Sequence, residues 1–193
     1  MRTIPLVASL GLAVAVLATG ASAQEKAAMT AQDKIAEALA GGPAELASGA
    51  AVVDWDGTTL REGSNGWTCF PDVPQQPGVT PMCLDGQWLK WADAWMNKKP
   101  TTGVTGVGLA YMLMGGGDAS NTDPYAEKPA EGEDWVHSGP HVMIIVPDPK
   151  DLDGLPTDPN SGGPYVMWKG TPYVHIMMPI SGPKAMKDKE HKH

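Results

Sequence analysis

Two short patterns carry the most legible chemistry in this chain: His141-Val142-Met143 and His175-Ile176-Met177. Side chains two apart on a β-strand point to the same face, so each pattern aligns one imidazole with one thioether. Imidazole and thioether together form a copper ligand set. If the two strands share a sheet in a suitable register, His141, Met143, His175 and Met177 converge. Met112 or Met114, and Met167, would lie on the same face. The plainer reading of these residues is core, because methionine fills irregular interiors and packs well against aromatic rings.

Other candidate chemistry is thinner. Asp148, Asp151, Asp153 and Asp158 crowd one loop, and Asp118 and Asp123 another, with Asn121 and Asn160 beside them. Calcium favours such oxygen ligands, but the spacing departs from the EF-hand pattern and reads as solvated Asx turns. Glu62 with Asp54 or Asp56 could do acid/base work beside Arg61, the only arginine after residue 2; Arg61 is expected to serve as an anion or ion-pair anchor. His137 and His141 are separated by Ser138-Gly139-Pro140, which excludes a helical metal pair. No Gly-x-Ser-x-Gly elbow, phosphate-binding lysine loop or dinucleotide fingerprint occurs, and no catalytic residue is assigned.

The elements that must position these residues follow from punctuation and periodicity. Thr30 to Asp33 is a capping pattern ahead of a short Ala-rich helix over 31–40, ended by Gly41-Gly42, with one further turn after Pro43. Residues 50–62 read as a hairpin around Asp56-Gly57, and Gly63-Ser64-Asn65-Gly66 as a second turn before a strand at 67–70. Leu84, Trp88, Trp91, Ala92 and Trp95 share one face of a helix over 85–98, capped by Asp85 and stopped by Pro100. Three tryptophans in a stripe suggest a face pressed against a sheet. Further strands are expected at 107–114, 141–146, 165–168 and 173–178. The order helix, strands, helix, strands, with short connections, implies an α+β fold with a mainly antiparallel sheet.

Residues 1–23 have the form of a secretory signal: one positive charge, an apolar run over 4–18 and the small-x-small end Ala21-Ser22-Ala23. The run is shorter than the ~20 residues a membrane span needs, and no later segment is apolar enough to span. An exported, periplasmic or extracellular, product is expected. There, Cys69 and Cys83, the only cysteines, would form one disulfide across a Pro-rich loop. The domain organisation reads as signal 1–23, N-terminal extension with a short helix 24–49, one globular domain 50–182 and a charged disordered tail 183–193. A net charge of −8, from 14 Lys+Arg against 22 Asp+Glu, argues against nucleic acid and anionic membrane surfaces as partners.

Arg61 to Cys69, Pro81 to Asp85, Ser120 to Pro124 and Gly162 to Tyr173 resemble segments of uncharacterised exported bacterial proteins. The resemblance covers about residues 50–180 and implies a compartment and an architecture, but no activity and no catalytic residue. The sequence therefore leads to an exported protein with a binding or structural role, whose partner is a small molecule, a metal or a protein. A copper-binding protein built on the His/Met face is the first alternative. A small hydrolase with an acidic site near Arg61 is the second.

Overall fold

The computed structural model describes residues 29–74 and 78–180; the expected signal at 1–23 and the tail at 183–193 lie outside them. Helix α1, Ala31–Ala40, opens on a complete capping box between Thr30 and Asp33. Helix α2, Ala44–Gly49, follows Pro43. Strands β1, Ala51–Val53, β2, Thr59–Arg61, β3, Thr68–Phe70, and β4, Met82–Leu84, come next, before helix α3, Gly86–Met96. Strands β5, Gly108–Met112, β6, Asp118–Ala119, β7, Val136–His137, β8, His141–Ile145, β9, Tyr165–Met167, and β10, His175–Pro179, complete the order. Among the described residues no helix is long and apolar enough to cross a membrane.

Eight strands form one sheet in the order β2-β1-β3-β4-β5-β8-β10-β9, while β6 and β7 pair separately. The sheet is mixed, which corrects the expectation of a mainly antiparallel one: β3 lies parallel to β1. The cause is the segment expected to be a simple turn. After β2 the chain passes beneath the start of β1, with Ser64 N donating to Gly49 O and Ala51 N to Trp67 O. A Cβ on Gly63 would lie 2.1 Å from Ala51 N, so only glycine permits this crossing. The chain emerges on the far side of β1 running in the same direction.

The two faces of the sheet are covered at different places. Val52, Cys69 and Cys83 share one face with Ala38 of α1 and are fully buried. Cys69 and Cys83 are directly opposite on β3 and β4 and form the disulfide, with S–S 2.01 Å. Its sequence separation of 14 closes a loop worth about 3 kcal/mol in the chain-entropy account. The opposite face carries Leu84, Ala110, Met143, Ile145 and Met177, and α3 packs on it through Trp88 and Trp91. This second core contains the His/Met pattern.

Candidate functional site

Helix α3 is held over the sheet by one carboxylate. Asp85 Oδ1 accepts from Gln87 N and Trp88 N at 2.9 Å each, capping the helix. Its Oδ2 accepts from Leu109 N of β5 at 2.7 Å, tying the same turn to the sheet. Gly108 beside it allows close approach, since a Cβ there would lie 2.9 Å from Gln87 Cβ. The spacing of Trp88 and Trp91 then directs both indoles onto the sheet, where they are 2% and 6% exposed.

The helix covers the His/Met face yet does not close against all of it. A cavity of about 520 Å³ lies between them. The indoles of Trp88 and Trp91 form one wall, and His141, Met143, His175 and Met177 form another. Trp55, Phe70 and the exposed Gly57 and Met96 line its other end. Met112 and Met167 complete the thioether wall, whereas Met114 lies beyond β5 and is exposed. All four predicted metal ligands are thus buried on one face of adjacent strands.

Register decides how they meet. Met143 lies directly opposite Met177, His141 opposite Pro179, and His175 falls beyond the pair at the other end. The imidazoles therefore flank the methionine pair, roughly 13 Å apart along the strand direction. Each has a thioether directly across the sheet instead: Met112 opposite His141 and Met167 opposite His175. Among the described residues no three His, Cys, Asp or Glu side chains come together in a way that would hold a metal ion.

Both imidazoles are oriented by the same device. His141 Nδ1 donates to Gly139 O at 2.6 Å and His175 Nδ1 to Tyr173 O at 2.9 Å. A carbonyl can only accept, so Nδ1 carries the proton and Nε2 keeps its lone pair. Burial pushes the pKa of His175 down to about 4, against the opposing hydrogen bond to Tyr173 and aided by the nearby His141. Burial lowers His141 as well. Both are neutral near pH 7 and offer an acceptor. The indole nitrogens of Trp88 and Trp91 are buried donors with no hydrogen-bond partner among the described residues. Buried polar groups are rarely left so.

Aromatic rings close the far end. His175 meets the rings of Trp88, Trp91 and Trp168 edge-on at 5.5, 5.4 and 5.0 Å between centroids. Trp168 stacks parallel to Trp91 at 5.9 Å. Trp168 reaches this position through a left-handed backbone, φ 56°, with its Nε1 donating to Ser120 O at 2.7 Å. A non-glycine residue in that conformation costs on the order of 1–3 kcal/mol and persists only where its surroundings impose it. Alternation gives this residue only the last place of the strand expected at 165–168, with no local signal for the left-handed turn.

The remaining candidates lie elsewhere. Arg61 was expected to anchor an anion or an ion pair; it donates to the carbonyls of Ala47, Ser48 and Ala50 and so closes the C-terminal end of α2. Its neighbour Glu62 is exposed, and Asp54 pairs with Lys34. Asp123, Asp148 and Asp158 accept from backbone N–H groups two residues on, as Asx turns do. His137 is exposed and its Nδ1 lies 2.5 Å from Asp118 Oδ1 across the β6–β7 pair. No protein-family model matches the chain, and comparison with the curated proteins and with the solved structures gave no match either.

Proposed function

We propose that the chain is an exported binding protein whose site is the cavity between α3 and the β5, β8, β10 and β9 face. The observation that carries this reading is the composition of the wall. Indole and thioether surfaces supply apolar contact, and His141 and His175, each ring fixed by its Nδ1 hydrogen bond, add a few oriented polar atoms to the wall of one half-open cavity. Concave, mostly apolar cavities with few oriented polar groups are the usual form of small-ligand sites. Its volume of about 520 Å³ falls within the roughly 300–1,000 Å³ typical of them. Among the described residues the one carboxylate lining the cavity, Asp54, is paired with Lys34, so the favoured guest carries little net charge. The oxidised Cys69–Cys83 pair and the leader-like residues 1–23 support an extracytoplasmic address.

The test is uptake of an uncharged fluorescent probe, N-phenyl-1-naphthylamine, followed by its emission and by quenching of tryptophan. Saturable uptake of one equivalent is expected. Ala92 is half-buried on the cavity wall, and Ala92→Phe should weaken uptake at least tenfold while the protein stays folded. Equal uptake by the folded variant would refute the assignment.

A further inference from the structure

The six soft donors of the cavity form two equivalent sets. Antiparallel strands β8 and β10 are related by a local two-fold axis through the Met143–Met177 pair. That axis exchanges His141 with His175 and Met143 with Met177. It also exchanges the flanking strands, carrying Met112 opposite His141 onto Met167 opposite His175. Even the orienting hydrogen bond is repeated: each imidazole Nδ1 donates to the carbonyl two residues before it. Directly opposed side chains have Cβ atoms about 4.5–5.5 Å apart, within joint reach of one ion.

We propose that the cavity takes two soft monovalent metal ions, as Cu(I). One is held by His141 Nε2 with the Sδ atoms of Met112 and Met143. The other is held by His175 Nε2 with the Sδ atoms of Met167 and Met177. This rests on the cavity being the binding site and names its ligand class. Imidazole donating its second nitrogen to a backbone carbonyl is the usual outer support of a metal-bound histidine. Thioethers select Cu(I) over harder divalent ions, and neither set contains a carboxylate or a free thiolate to favour zinc or calcium. Around the His175 set the rings of Trp88, Trp91 and Trp168 stand 5.0–5.5 Å from the imidazole and supply an apolar surround. The single four-ligand site expected from sequence becomes two three-ligand sites because the register parts the imidazoles.

The experiment is an anaerobic titration of the purified full chain with Cu(I) from its acetonitrile complex, in competition with bicinchoninate. The same samples are tested for N-phenyl-1-naphthylamine uptake without metal. Two equivalents should be retained, with an X-ray absorption spectrum showing mixed sulfur and nitrogen ligation. Met112→Leu with Met143→Leu, and separately Met167→Leu with Met177→Leu, should each lower retention to one equivalent. Leucine conserves volume, so these variants should still fold, with the parent's circular dichroism and denaturant midpoint. Probe uptake without Cu(I) retention would overturn the metal proposal alone. Loss of both in the folded parent protein would overturn the binding-site reading too. Unchanged retention in the fourfold leucine variant would place copper elsewhere, for example on His191 and His193, and overturn this assignment.

Discussion

His175 is completely enclosed, neutral and surrounded by three indoles, and its depressed pKa makes stability depend on pH in a defined sense. Its pKa is about 4 in the folded protein against 6.5 for a free imidazole. Between those values the unfolded chain binds more protons than the folded one, so stability rises with pH across the window. The contribution is complete above about pH 6.5, falls as pH drops and is lost below about pH 4. At 1.36 kcal/mol per pKa unit the change amounts to about 3 kcal/mol. Urea unfolding at a series of pH values should show this slope, and His175→Asn should flatten it by most of that amount. An unchanged slope in the variant would mean that His175 is accessible to protons in the folded state. The type and face of this residue were readable from alternation alone. Its partners were not, because Tyr173 O and the Trp168 ring depend on a left-handed turn that no local pattern announces.

Among the elements, α3 was legible from its tryptophan spacing and from Asp85, and α1 from Thr30 and Asp33. Strand order was not. Gly63 to Gly66 has the composition of a hairpin turn, yet a close crossing beneath β1 uses the same residues and yields a parallel pair. Register was equally hidden: alternation fixes which residues share a face, while only pairing decides that His141 faces Met112 and Pro179. Asp85 joins the legible and the hidden levels, since it caps α3 and also grips β5. Asp85→Ala removes a helix cap worth about 1 kcal/mol and strands the buried-side amide of Leu109, for a total loss of about 2–3 kcal/mol. Asp85→Asn should recover part of it. Denaturant midpoints at constant m would measure both, and an alanine variant as stable as the parent would show that α3 is held by its indoles alone.

At the scale of the molecule, two cores lie on opposite faces of one sheet and differ in kind. Around Cys69 and Cys83 the packing is small, aliphatic and covalently closed, with Ala38, Ala50 and Val52 fully buried. Around Trp88 and His175 it is aromatic, rich in thioethers and hollow. A half-open, largely apolar cleft of this size, with partnerless indole N–H groups packed behind its wall, has the form of a small-ligand site. Methionine methyl groups report on it directly. In a spectrum of the protein labelled with [methyl-13C]methionine, addition of N-phenyl-1-naphthylamine should shift the resonances of Met112, Met143, Met167 and Met177. The exposed Met29 and Met114 should stay unmoved. Shifts confined to Met29 and Met114, or no shift at saturating probe, would contradict the assignment of this cavity as the binding site.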